Sequence, residues 1–432
     1  MKKTILIFIL TLFSCNQAFS VTLVDALKIS FKNNTELNAE RENINVSKED
    51  INISKSSYLP SLTITGSKSQ ENTNKITNQS GGDASIEDVN PMSTSIKIEQ
   101  TLIDLGRGAD FEKNKIGLRL AEAKLLKKEQ DILYKVIEVY TGLILANEKN
   151  NINQRNVDLL DRQVETDKIR LDRGQITVSD LAQSESSLAG AKAKFTEATN
   201  EVFTGKLNYE NVIGFISDMK DLEKPLNAFV KIPQNLNNAI EISKKNNPDL
   251  IISKLEFEQS EKDVQIAKSD LSPTATLSLE RSYSEDLNTT YDEREKDILK
   301  ATVSWPFFTG GKNRATVKKN QNLKTRKRLL LDNQIKTNET NVASAWSNFQ
   351  SSKTFLASVE AQVKAAKIAN EGITAEYERG GSGRTTLDVI QSNSLLLNAQ
   401  ISLANSQRNY LLSQYNLLKS VGLLNSDYLK LK

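Results

Sequence analysis

Not one of the 432 residues is histidine, and the single cysteine is Cys15. Without imidazole, general acid–base and metal chemistry lose the side chain that most often performs them, and carboxylates would have to do everything. One cysteine closes no intrachain disulfide, and with no histidine beside it makes no structural zinc site. Proline is scarce, at 7 residues, and aromatics make up 6%. That composition, rich in Asn, Ser, Lys, Leu and Ala, suits long solvated helices better than a compact core. Past the N-terminus no stretch approaches the roughly 18 to 20 apolar residues of a spanning helix, so any membrane insertion must use strands. Neither sign of charge dominates: 57 basic and 54 acidic residues interleave to a net +3, which names no polyanionic partner. The densest basic run, Lys318 to Arg328, has no interleaved aromatics and reads as a solvated helix face rather than a nucleic-acid patch. No cofactor, metal or nucleic acid is expected, and with no nucleophile motif the chain is not read as an enzyme.

What is present begins with a secretory pattern: Lys2 and Lys3, an apolar run from Ile5 to Phe13, and the small-residue exit Ala18-Phe19-Ser20. Residues 1–20 are therefore expected to be a signal peptide, with the mature chain starting near Val21. Cys15 follows Leu12-Phe13-Ser14, a weak lipoprotein box that Phe13 fits poorly, and its acylation stays open.

The chain then repeats itself. At an offset of 213 residues (Leu23 onto Leu236), Ala26, Ile29, Ser30, Lys32, Asn33, Asn34 and Leu37 meet Ala239, Ile242, Ser243, Lys245, Asn246, Asn247 and Leu250. The register persists without a gap through Asp50, Ile53, Lys55, Ser56, Pro60 and Thr63, which meet Asp263, Ile266, Lys268, Ser269, Pro273 and Thr276. A match this long is duplication, so the halves should fold alike. The expected organisation is a first repeat over 21–214, a linker over 215–234, a second repeat over 235–422 and a tail over 423–432.

Each half opens with a helix expected to run to a proline, Pro60 or Pro273, which stops it. Alternating segments follow: Ser61 to Thr65 and Ala275 to Leu279, then Ile96, Ile98 and Leu102, and Ala301, Val303, Trp305 and Phe307. Two strands per half, four per chain, are predicted. After the turns at Asp104-Leu-Gly-Arg-Gly and Thr309-Gly-Gly-Lys a helical pattern begins. In the first half it runs through Leu126, Leu133, Val136, Tyr140, Leu143, Val157, Leu160, Val164 and Leu171, about 65 residues or roughly 100 Å. The return helices carry one large apolar seam (Leu181, Leu188, Phe195, Val202; Val389, Leu396, Leu403, Tyr410, Leu417) and one small one (Ser184, Ala191, Ala198; Ser392, Ala399, Ser406, Ser413, Ser420). Neighbouring helices can approach closely along the small seam. The fold class is α+β, mainly α, with long coiled-coil hairpins. Four strands cannot close a barrel, and an open edge in lipid leaves backbone groups unpaired, so membrane insertion requires an oligomer.

Tyr377-Glu-Arg-Gly380, then Arg384-Thr-Thr-Leu-Asp388-Val-Ile, Asn398-Ala-Gln and Asn409-Tyr410-Leu, with the first-half counterpart Arg173-Gly174-Gln-Ile-Thr-Val-Ser179-Asp180-Leu181, resemble the TolC family of outer-membrane channel tunnels. The likeness extends over essentially the whole mature chain. It implies a homotrimer whose four transmembrane strands per chain complete a twelve-stranded β-barrel above a periplasmic α-barrel. The count of three comes from the resemblance alone, since two chains would give eight strands. It also implies hairpin tips at Gly174 and Gly380 that meet a periplasmic adaptor, and through it an inner-membrane pump. Asp388 is then expected at the pore constriction, with Gln391 where a second acidic position belongs. Tyr377 and Arg384 would reach toward Ser179 and Asp180 as gate contacts. A helix-terminal carboxylate is the simpler account of Asp388. The cluster Gly380-Gly-Ser-Gly383 lacks the Lys-Ser/Thr and preceding strand of a phosphate loop and reads as a hairpin turn.

The expected function is a passive exit duct across the periplasm and outer membrane, serving a tripartite efflux pump or a type I secretion system. The alternative is a periplasmic coiled-coil adaptor or structural protein without a transmembrane barrel.

Overall fold

The computed structural model describes residues 22–75, 85–214, 222–288, 291–379 and 383–431. Cys15 and the expected cut before Val21 lie outside the described residues. Fourteen elements are described, in chain order beginning with α1 (Leu23–Asn33), α2 (Thr35–Ser56), β1 (Ser61–Lys68), β2 (Glu71–Lys75), β3 (Ser85–Val89), β4 (Met92–Ile103), α3 (Arg107–Asp172), α4 (Val178–Val212), α5 (Leu236–Asn246) and α6 (Pro248–Ser269). They are followed by β5 (Thr274–Asn288), β6 (Tyr291–Ser304), α7 (Lys312–Arg379) and α8 (Thr386–Ser420).

Each opening helix is two helices rather than one, broken within the repeated Asn-Asn pair. The side chain of Asn34 accepts from the Leu37 N–H at 3.0 Å, and that of Asn247 from the Leu250 N–H at 3.2 Å. Asparagine prefers this capping role to a helix interior, and Pro248 at the first helical position needs no backbone donor. The long helices match their pattern: α3 has 66 residues and α7 has 68, each on the order of 100 Å.

The chain divides into two compact units, each drawing on both halves. One comprises 39–127 and 247–338 and contains an antiparallel sheet in the order β1-β4-β5-β6. The first half also carries a second, two-stranded sheet, β2 with β3, which the alternation pattern had not separated. The register sets Leu62 opposite Ile98, Ile98 opposite Leu279 and Leu279 opposite Leu299, so one apolar row crosses all four strands. These side chains are 64, 41, 50 and 73% exposed. The residues one step along point the other way and are polar: Ser61, Glu99, Ser278 and Lys300. β6 ends at Ser304, so Trp305 and Phe307 lie past the strand. Below the sheet α6 packs Leu255 against Ile116 and Ala123 of α3. Arg107 seals the β4–α3 corner by donating to the carbonyls of Ser57, Thr101 and Leu102 at 2.9, 3.0 and 3.2 Å. Within the basic run, Lys324 and Lys327 pair with Glu261 and Glu256 of α6, as a helix face would.

The other unit comprises the residues up to Asn38 with 128–246 and 339–432. Its core takes Leu133, Val136, Ile137, Tyr140 and Leu143 from α3 and Leu411, Tyr415, Leu417 and Leu418 from α8, all essentially inaccessible. Residues 222–228 cross these helices as a strap. Tyr140 Oη donates to the Glu223 carbonyl at 2.7 Å, and Lys224 Nζ reaches Glu148 at 2.6 Å and Gln407 at 2.7 Å. The C-terminal segment is fastened too: the Ser426 N–H donates to Glu129, and Tyr428 Oη to the Lys231 carbonyl at 2.8 Å.

Candidate functional site: the helical hairpin tips

α3 and α4 form one hairpin, α7 and α8 the other, and the sequence-predicted site residues that are described lie near their turns. Gly174 ends α3 with φ +70°, a left-handed conformation that glycine adopts without strain. Its N–H donates to the Leu171 carbonyl at 2.8 Å, and Gln175 donates to Arg170 at 2.9 Å. Gly380 lies outside the described residues. Gly383, with φ +70°, stands near the start of the return helix.

The two return helices begin in the same way. Thr177 caps α4 and Thr385 caps α8, each in a capping box with the carboxylate three residues on. The Thr385 N–H donates to Asp388 Oδ2 at 2.9 Å and the Asp388 N–H to Thr385 Oγ1 at 3.2 Å; the corresponding distances for Thr177 and Asp180 are 2.9 and 3.3 Å. Hydrogen bonds from the Thr385 backbone and hydroxyl, with a smaller contribution from Arg384, hold Asp388 below the usual carboxylate range. Asp180 is lowered by the same two bonds from Thr177. Both carboxylates therefore stay charged at neutral pH. Asp388 is half-buried, while Gln391, one turn further along α8, is exposed.

Tyr377 and Arg384 do not hydrogen-bond to Ser179 or Asp180. Arg384 turns back to its own hairpin, its Nε 2.7 Å from Glu376 Oε2. Tyr377 does cross to the first hairpin, but its partner is Asp167, at 3.1 Å from its hydroxyl. Asp167 is fully buried and also accepts from Ser184 Oγ at 2.5 Å and from Gln163 Nε2 at 2.9 Å. The Tyr377 hydroxyl shares a further bond of 2.9 Å with Thr386 Oγ1, and the Arg170 guanidinium sits 4.1 Å from the centre of its ring. One carboxylate thus ties α3, α4 and α7 together. A cleft of about 510 Å³ opens beside it, and Asp180, Tyr377 and Arg384 share its lining. Ser179 lies exposed on the first turn of α4.

Asp167 was open to detection from the pattern. Val157, Leu160, Val164 and Leu171 leave position 167 as the next step of the α3 apolar seam, and a carboxylate there demands donors. Ser184, which supplies one, lies on the small seam of α4.

The sequence profile of the outer membrane efflux protein family matches residues 26–213 and again 239–423. The chain belongs to that family. It resembles the outer membrane efflux protein BepC of Brucella suis, 26% identical over 98% of this chain and 90% of that protein. It also resembles the alkaline protease secretion protein AprF of Pseudomonas aeruginosa, 20% identical over 96% and 87%. Among solved structures, the CmeC outer membrane channel of Campylobacter jejuni superposes with a TM-score of 0.81 at 18% identity, covering 93% of this chain and 85% of that one. This outer membrane efflux protein is a passive outer-membrane channel that extends into the periplasm, and not an enzyme. Among the described residues no helix is long and apolar enough to cross a membrane.

Proposed function

We propose that three copies of this chain join their sheets edge to edge into a closed twelve-stranded barrel, and that the helices continue it as an exit duct toward an adaptor and an inner-membrane pump. The observation that carries this is the four-stranded sheet with one apolar face and two free edges, β1 and β6. In lipid an unpaired edge is costly, and closure with further copies removes it. The apolar row is too exposed for a soluble β-domain, which speaks against an adaptor without a barrel. The halves 21–214 and 235–422 act as duplicated repeats, each supplying one hairpin tip, near Gly174 and Gly380, for the adaptor. Asp388 lines the constriction with Gln391 below it, and the Tyr377–Asp167 tie holds the hairpins closed at rest, while Arg384 braces its own hairpin through Glu376. Secretion of a protein cargo and efflux of small molecules are both in keeping with the relatives' names.

Engineered cysteines test the assembly, because Cys15 is the only cysteine in the chain. Cysteines scanned along β1 from Thr63 and along β6 from Thr302, both on the polar face, should yield a covalent ladder in outer-membrane extracts that ends at a trimer. A ladder ending at two, or monomers at every register, would overturn the proposal.

A further inference from the structure

The end of β6 carries a feature that neither the barrel nor the hairpin tips use. Trp305, Phe307 and Phe308 are 61, 83 and 84% exposed, more than most apolar side chains of the sheet. Trp305 is nevertheless held in place: its indole N–H donates to the Leu271 carbonyl at 3.1 Å and its ring meets Phe307 edge-on at 5.6 Å. Four cations follow within the first turns of α7: Lys312, Arg314, Lys318 and Lys319. All four are exposed, and among the described residues none has an acidic partner within ion-pair distance. The first turn of α7 contains no acidic residue, so positive charge collects where the helix dipole disfavours it.

The first half is built differently at the same place. Arg107, which like Lys312 opens its helix, is consumed by three backbone carbonyls, and Asp110 and Glu112 follow it; Asp110 accepts from Ser54 at 2.6 Å and Glu112 pairs with Lys115 at 2.8 Å. The cationic patch therefore belongs to the second half alone and is not a requirement of the β–α corner.

We infer that Trp305, Phe307 and Phe308 with Lys312, Arg314, Lys318 and Lys319 form a binding surface for anionic phospholipid headgroups on the periplasmic side of the outer membrane. The inference rests on the outer-membrane location and not on the proposed gate. The apolar row of the sheet faces lipid, so the strand end that runs on into α7 stands at the periplasmic boundary. An indole, apolar but for its N–H, settles at that depth, outer-membrane barrels carry aromatic girdles there, and cations beside them attract phosphate. Lys318 and Lys319 lie about 10 Å further along the helix, within reach of headgroups once their stems bend back. Each cation near an anionic surface is worth roughly a five-fold change in partitioning.

The test uses the full-length assembled protein in nanodiscs containing phosphatidylglycerol and phosphatidylcholine. The double variant Lys312→Gln/Arg314→Gln is compared with a matched control on distant α7, Lys353→Gln/Lys364→Gln. Retained phosphatidylglycerol per assembly, counted by native mass spectrometry, should fall at least five-fold in the first and stay at the wild-type level in the second. Equal retention in both, or equal retention of phosphatidylcholine, would overturn the inference. An independent readout leaves these cations intact. In a Trp346→Phe background Trp305 is the sole tryptophan, and lipids brominated near the headgroup should quench it more than lipids brominated deep in the chain. Absence of quenching would contradict the placement.

Discussion

The hydroxyl of Tyr377 donates to Asp167 at 3.1 Å, joining the second hairpin to a carboxylate buried in the first. A buried carboxylate deprived of a donor keeps its desolvation cost, so the bond matters more for what its loss leaves behind than for its gross strength. Tyr377→Phe should shift the opening equilibrium by about 1 to 2 kcal/mol, five- to thirty-fold. In single-channel recordings this reads as higher conductance or open probability. Asp167→Ala should do the same, and the double variant should be less than additive; full additivity would show that the two side chains are not coupled.

Asp388 has two possible roles that one substitution separates. Asn can still accept from the Thr385 N–H as a cap but carries no charge. If Asp388 lines the constriction, Asp388→Asn should lower cation selectivity and block by multivalent cations while leaving thermal stability nearly unchanged. Gln391→Asp should strengthen the block. Unchanged selectivity in Asp388→Asn would reduce the residue to its cap.

The lowered pKa of Asp388 fixes a pH window. A carboxylate whose folded pKa lies below its unfolded value adds stability above the unfolded pKa, near 4, and loses it as pH falls through the folded one. With the cap bonds alone, selectivity carried by this ring should stay flat from pH 7 to about 4.5, and repulsion among the neighbouring carboxylates moves the fall to somewhat higher pH. A drop between pH 6 and 7 would point to another group.

Much of this was legible beforehand. The 213-residue offset, the prolines and the glycine turns located the long helices, and strand alternation marked the apolar row. The break at Asn34 was hidden because the apolar spacing continues across it, and only the cap geometry shows that the asparagine has left the helix. Trp305 and Phe307 extended the strand alternation although the ladder stops at Ser304. At the tip, the turn and cap chemistry of Gly174, Thr177 and Asp180 could be read locally. The partner of Tyr377 could not, because it depends on how two hairpins 210 residues apart pack. The one local clue, an acid on the α3 apolar seam, needed a donor that the sequence does not name.

The Gly174 turn should tolerate no β-branched residue. At φ +70° such a side chain costs about 1 to 2 kcal/mol. Gly174→Val should distort the tip and abolish export in cells while the protein still reaches the outer membrane. Normal export would remove this turn from the adaptor contact.

The two faces of the sheet should respond oppositely to charge. Leu299→Lys places a cation in the apolar row at a cost of about 2 to 4 kcal/mol near the bilayer centre. It should block insertion, whereas Thr63→Lys on the polar face should insert normally. Folding yields into vesicles distinguish the two, and equal yields would mean that the apolar row does not face lipid.

The most direct measurement is planar-bilayer recording of the purified mature protein. The protein should insert and conduct through a small, stable, uniform channel, since sheets with free edges persist in lipid only when closed with other copies. A soluble monomer that leaves the bilayer electrically silent would contradict that expectation.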